Sequence, residues 1–321
     1  MNKEPIIIVG GEPNSVFSEI FFKSIKAHSF KSPLVIIASK KLIQKQMEKL
    51  DFALKINDID QKFKDYSKLN NQKINLINVE YKFNNCFEKI TSKSNAYINE
   101  TFALALKIMH RNNFSKFING PVSKKYFLKG KTLGITEYLA HKTKKNNKVA
   151  MLIFNKNLSV SPITTHLALK DVHKKITKQK IYKQVDLINS FYKKKFNLFP
   201  KIAITGLNPH CESNFQSSEE ERIIIPAIRK LRLKNSNIFG PFPADTIFTK
   251  QILKNYDVVI GMYHDQVLSP MKALFNFDAI NITLGLPFIR VSPDHGPNHS
   301  MLGKNLSNPK SLIQALKFLD K

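Results

Sequence analysis

Short apolar runs alternate with longer amphipathic segments along the chain. The apolar runs predict strands at Pro5–Val9, Leu34–Ala38, Ile74–Val79, Lys116–Asn119, Val149–Phe154, Val160–Thr164, Lys201–Gly206, Asp257–Met262, Ala279–Thr283 and Phe288–Val291. The amphipathic segments predict helices at Ser15–Ala27, Lys41–Lys49, Ala96–His110, Thr136–Lys142, Lys175–Tyr192, Ser217–Lys234, Ala244–Lys254 and Ser311–Leu319. Strands that alternate with helices predict an α/β fold with a mostly parallel sheet. The Ser217–Lys234 segment shows its start signals plainly. Ser217 and Ser218 precede Glu219, Glu220 and Glu221, so a serine cap and an acidic first turn complement the helix dipole. There is no internal repeat, low-complexity tract or proline-rich linker, and Lys142–Lys148 reads as an exposed loop.

This pattern gives meaning to one stretch, Gly261-Met-Tyr-His-Asp-Gln-Val-Leu-Ser-Pro-Met-Lys272. It follows the buried strand Tyr256-Asp-Val-Val-Ile260 and places His264 at the strand's mouth. His166 and His210 also follow predicted strands. Parallel strands share a direction, so their carboxyl ends cluster in space, and α/β proteins keep their chemistry there. A lone histidine in such a place is more often a hydrogen-bonded side chain. Three in equivalent positions suit a divalent cation with coordination positions left open for substrate. His28, His110, His141 and His173 lie in helical or surface contexts. Cys211 adjoins His210 on the same turn and is expected to point elsewhere.

Lys272, Asn281 and Arg290 fall near these strand ends and are the groups that suit a phosphate or carboxylate. Taken singly, Lys272 reads as a solvated cation and Arg290 as the partner of an acid. Asp245, after two prolines in Gly240-Pro-Phe-Pro-Ala-Asp-Thr246, reads as an acid at a helix start. Both common nucleotide-cradling signatures are missing. None of the 11 glycines is spaced as Gly-x-Gly. Gly130-Lys131-Thr132 has Lys125 where a phosphate loop needs glycine. A nucleotide would have to bind by another geometry.

Composition narrows the picture further. The 321 residues are long for one core and suggest two lobes. Two cysteines, Cys86 and Cys211, cannot make a disulfide framework and fit a reducing cytosol. No apolar run approaches the length of a signal core or a membrane span, so a soluble cytoplasmic protein is expected. The formal net charge is +27. The lysines are spread from end to end, without an arginine-rich tail or zinc-finger spacing. This reads as a solvated basic surface with a mild attraction for anionic substrates, and a dedicated nucleic-acid face is not expected.

Several segments together resemble the PdxA family of 4-hydroxythreonine-4-phosphate dehydrogenases. They are Asn119-Gly-Pro-Val-Ser-Lys124, Thr164-Thr-His-Leu-Ala-Leu-Lys-Asp-Val172, Gly206-Leu-Asn-Pro-His210, Gly240-Pro-Phe-Pro-Ala-Asp-Thr246, Tyr263-His-Asp-Gln266, Asn281-Ile-Thr-Leu-Gly-Leu-Pro-Phe-Ile-Arg290 and Asp294-His-Gly296. The resemblance implies a two-lobed α/β/α fold similar to isopropylmalate dehydrogenases, with the active site in the interlobe cleft. One lobe would comprise 1–125 with 285–321, and the other 126–284. It implies oxidation of 4-phosphooxy-L-threonine at the 3-hydroxyl by NAD or NADP, then decarboxylation to 3-amino-2-oxopropyl phosphate for pyridoxal phosphate synthesis. His166, His210 and His264 would hold one divalent metal (zinc, magnesium or cobalt), shared between the subunits of a homodimer. Thr136, Lys272, Asn281 and Arg290 would bind substrate, and Asp245 would join the histidines in catalysis.

Three departures stand out. The family's Gly-His-Thr-Glu is Gly134-Ile-Thr-Glu137 here, so Ile135 cannot supply the family's polar contact. The N-terminal Gly-rich motif becomes Gly11-Glu-Pro-Asn-Ser-Val-Phe-Ser-Glu19. The Gly-rich turn after His210 becomes Cys211-Glu-Ser-Asn-Phe215. They leave room for another phosphorylated hydroxy acid, such as D-erythronate 4-phosphate, as substrate. A non-catalytic basic protein that binds nucleic acid is the alternative from a different class.

Overall fold

The computed structural model describes residues 3–320 apart from 64, 130, 131, 133, 147, 212–216, 235, 236, 277, 294 and 295. Among the described residues the strands are β1 (Ile6–Val9), β2 (Leu34–Ala38), β3 (Ile56–Asp58), β4 (Ile74–Asn78), β5 (Lys116–Asn119), β6 (Ala150–Phe154), β7 (Ser159–Thr164), β8 (Ile202–Thr205), β9 (Ile238–Phe242), β10 (Val258–Tyr263), β11 (Ile280–Leu284) and β12 (Ile289–Pro293). The fold is α/β with mostly parallel strand pairing, as the alternation predicts. The chain divides into two compact units, Met1–Tyr138 with Pro287–Lys321, and Leu139–Leu286.

In the first unit the strand order is β3-β4-β2-β1-β5-β12, with every pair parallel. Helices cover both faces of such a sheet, so its central strands are apolar at every position. The Ile-Ile-Ile-Val of β1 and the Leu-Val-Ile-Ile-Ala of β2 are buried throughout. The helix Lys40–Lys49 starts where the Ser39 hydroxyl accepts a hydrogen bond from the Leu42 amide.

In the second unit the order is β11-β6-β7-β10-β8-β9. The β7–β10, β10–β8 and β8–β9 pairs are parallel, while β6 pairs antiparallel with β7 and with β11. The tight return Asn155–Leu158 makes the β6–β7 hairpin. Val160, Ala203, Val259, Val267 and Met271 belong to one buried core cluster of this unit.

Some elements depart from the sequence expectations. β3 and β9 were not expected, nor was the helix His264–Phe275. The expected Ser217–Lys234 helix begins with a wide π-type turn, Glu220–Ile224, before the α-helix Ile225–Arg232. Its serine cap forms, with the Glu221 amide donating to Ser218 Oγ at 3.2 Å. The expected Ala244–Lys254 helix is two short ones, Ala244–Ile247 and Lys250–Leu253. Cys86 and Cys211 form no disulfide. Among the described residues no helix is long and apolar enough to cross a membrane.

Candidate active site

β10 lies between β7 and β8, and the three run parallel. Tyr263 stands opposite Thr164, and Ile260 opposite Ile204. Their carboxyl ends therefore come level along one rim of the second unit. His264 follows β10 directly, His166 follows β7 by two residues, and His210 follows β8 by five. The rings of His166 and His264 lie 5.8 Å apart between centroids, inclined at 38°. His264 Nδ1 is 2.6 Å from Asp265 Oδ1. With Nδ1–H donating to that carboxylate, the Nε2 lone pair is left for another partner, the arrangement common among metal-ligating histidines. This donor chemistry fits a divalent cation. Among the described residues no three His, Cys, Asp or Glu side chains are gathered into a ligand group. The structure pairs His166 with His264 and places His210 on the neighbouring strand end.

His210 sits on a turn with left-handed backbone, φ 59°, and Cys211 follows at φ 56°. Each costs roughly 1–2 kcal/mol for a residue other than glycine. A buried carboxylate holds the start of this turn. Glu220 Oε1 accepts the Leu207 amide at 2.7 Å and the Asn208 amide at 2.9 Å, and its Oε2 accepts Asn208 Nδ2 at 2.8 Å. Burial opposes the Glu220 charge, yet these hydrogen bonds outweigh it and hold the carboxyl below its ordinary range. The Cys211 sulfur folds back over Gly206, where a Cβ would fall 2.7 Å from Sγ. In the sequence Glu220 reads as a helix-start acid. Nothing in its local pattern marks the bond to a loop 13 residues earlier.

The short helix bearing Asp245 packs against the His210 turn, and Asp245 is exposed there. Lys272 lies in the helix His264–Phe275, half-buried, and burial lowers its pKa. Asn281, in β11, has a buried Oδ1 that meets no hydrogen-bond donor among the described residues. Such an orphaned acceptor suits a ligand N–H or O–H.

Thr136 and Arg290 belong to the first unit. Arg290, on β12, is 1% exposed. Its Nε donates to Asn119 Oδ1 at 2.8 Å and its Nη1 to Thr136 Oγ1 at 3.5 Å. Burial pulls its pKa down to about 10, against the opposing pull of the Glu137 carboxylate. Two polar side chains thus aim a buried guanidinium, the group best shaped for an oxyanion. Ile135 begins the helix Ile135–Lys142, half-buried beside Thr136. Asp294 and His295 of the expected Asp294–Gly296 segment, and Glu212 to Phe215 of the altered turn, lie outside the described residues.

The chain is similar to known proteins over nearly all its length. The family profile described as "Pyridoxal phosphate biosynthetic protein PdxA" matches residues 29–319. The chain is 38% identical over 317 residues to a 4-hydroxythreonine-4-phosphate dehydrogenase of Sulfurihydrogenibium sp., covering 97% of this chain and 96% of the relative. It is 30% identical over 326 residues to a protein of Oceanobacillus iheyensis provisionally named a D-threonate 4-phosphate dehydrogenase, covering 98% and 97%. The crystal structure of 4-hydroxythreonine-4-phosphate dehydrogenase from Klebsiella pneumoniae superposes with a TM-score of 0.86 at 25% identity, covering 99% of this chain and 97% of that one.

Proposed function

Since the chain belongs to the PdxA family of pyridoxal phosphate biosynthetic proteins, we propose that it is an NAD- or NADP-dependent dehydrogenase. Its substrate is 4-phosphooxy-L-threonine, oxidised at the 3-hydroxyl and then decarboxylated to 3-amino-2-oxopropyl phosphate. The observation that carries the proposal is the His166–His264 pair at the strand rim, with Asp265 orienting one ring. His166, His210 and His264 would hold a divalent cation, and a homodimer with shared sites is part of the same proposal. When bound, the cation supplies Lewis acidity toward substrate oxygens, and the nicotinamide supplies a hydride acceptor.

The chain's own residues do the rest. Arg290, aimed by Asn119 and Thr136, and Lys272 take the substrate's phosphate and carboxylate. The orphaned Asn281 Oδ1 accepts a hydrogen bond from the substrate's amino or hydroxyl group. Asp245, exposed beside the His210 turn, accepts the hydroxyl proton as the C3 hydrogen leaves as hydride. The resulting 3-oxo acid then breaks its bond to the carboxylate and releases carbon dioxide, and a proton returns to the α-carbon.

A second reading rests on Ile135 and on the relative provisionally named for D-threonate 4-phosphate. Ile135 offers no hydrogen bond, so a phosphorylated hydroxy acid without the amino group is the alternative substrate. NADH formation with 4-phosphooxy-L-threonine, with and without chelator and beside His210→Ala, tests the proposal. Metal-dependent turnover that the variant loses supports it. A metal-loaded, folded enzyme that is inactive there but turns over D-threonate or D-erythronate 4-phosphate selects the second reading.

A further inference from the structure

The parallel ladder between β10 and β8 stops at Ile260 opposite Ile204. Continued in register, the ladder would pair Gly261 with Thr205 and then Met262 with Gly206. Instead a side-chain amide occupies that place. Gln266 Oε1 accepts the Met262 amide at 2.7 Å, and Gln266 Nε2 donates to the Gly206 carbonyl at 2.8 Å. The Thr205 hydroxyl donates to the same Oε1 at 2.9 Å. Both acceptor positions of the carbonyl are thus used, and Gln266 is 8% exposed. The Met262 carbonyl is held too, because Thr164 Oγ1 donates to it at 2.7 Å. Thr164 is two residues before His166, Met262 two before His264, and Gly206 four before His210.

From this the geometry assigns Gln266 the role of a positioning residue: its inserted amide holds the β8 end apart from β10 by the width of one peptide group, and so sets the gap between the segments that present His264 and His210. An amide is the side chain suited to this place, since it must accept from one strand and donate to the other. A direct Met262–Gly206 rung would bring the two strand ends together at the usual strand spacing. The assignment rests on the proposal that the histidine rim holds a divalent cation.

Zn2+ titration of the metal-free full-length protein by calorimetry tests it, with the visible spectrum of the Co2+ form as a second readout. Gln266→Glu keeps an acceptor for Met262 and Thr205 but sets an oxygen against the Gly206 carbonyl. Gln266→Leu removes the whole bridge. Val267→Ala, on the same helix and in the core, is the control for simple loss of stability. The expected result is a loss of Zn2+ affinity of about 10- to 100-fold in both Gln266 variants, with a changed Co2+ spectrum. Val267→Ala should lower the melting temperature and leave affinity and spectrum unchanged. Wild-type affinity and spectrum in both Gln266 variants would overturn the assignment while leaving the metal proposal standing. So would an affinity loss in Val267→Ala that matches theirs. Wild-type protein that binds neither ion would overturn the metal proposal and this assignment with it.

Discussion

Glu220 keeps its charge in a buried place because the backbone it faces is rich in donors. Its folded pKa lies below the ordinary 4.5. The unfolded chain therefore binds more protons as the solution turns acid. The stability Glu220 contributes is present above pH 4.5 and lost as pH falls through its lower folded value. Glu220→Gln keeps one acceptor for the two amides and sets an NH2 group against Asn208 Nδ2. Acid titration of unfolding should show a lower plateau above pH 4.5 and a shallower acid limb for this variant than for wild type. Coincident curves would show that the carboxylate contributes nothing. Lys272 is the opposite case, a cation whose charge burial penalises. Lys272→Met is expected to leave the melting temperature equal or higher, while KM for the phosphorylated substrate rises about 10- to 100-fold, the loss of one hydrogen bond to a charged group. An unchanged KM would remove Lys272 from the substrate contacts.

At the scale of elements, the strands with unbroken apolar runs were legible in the sequence to within a residue or two. Burial on both faces leaves such segments no polar alternative. The misses have physical causes. β3 offers Ile56 and then Asn57 and Asp58, and it forms only as an edge partner of β4. β9 contains Gly240 and Pro241, which argue against a strand, yet it too is an edge, where proline costs no inner rung. The helix His264–Phe275 opens on His, Asp and Gln and contains Pro270, so locally it reads as a turn. Pro270 cannot donate to the Gln266 backbone carbonyl one turn earlier. Pro270→Ala is accordingly expected to raise the unfolding free energy by about 1–3 kcal/mol, measured by denaturant titration. A neutral or destabilising result would mean that the proline ring's packing, or the stiffness it gives the unfolded chain, outweighs the missing bond.

At the scale of the whole molecule, a net charge of +27 surrounds a chemistry proposed to act on a phosphate ester. Long-range attraction of this kind raises encounter rates and fades with salt. Raising sodium chloride from low to physiological strength should lower kcat/KM several-fold with little change in kcat. A salt-independent kcat/KM would show that the basic surface plays no part in substrate capture. The candidate site was legible only in part at this scale. The strand-end histidines announce themselves because each follows an apolar run. Gln266 and Glu220 do not, because their partners lie 60 and 13 residues away. The resemblance implies Thr136 and Arg290 together as substrate binders, but their contact spans 154 residues and local pattern cannot show it.

The order of strands in the second unit also bears on how the protein is made. β10 is the strand that joins β7 to β8, and it comes last of the three in the chain. While a ribosome has delivered only the first two, their ends have no shared neighbour. Thr164 waits for a carbonyl 98 residues downstream. The histidine rim is therefore a late product of translation. A nascent chain halted before β10 lacks the strand that levels the rim, so the metal-binding surface proposed here should arise only once that strand has left the exit tunnel.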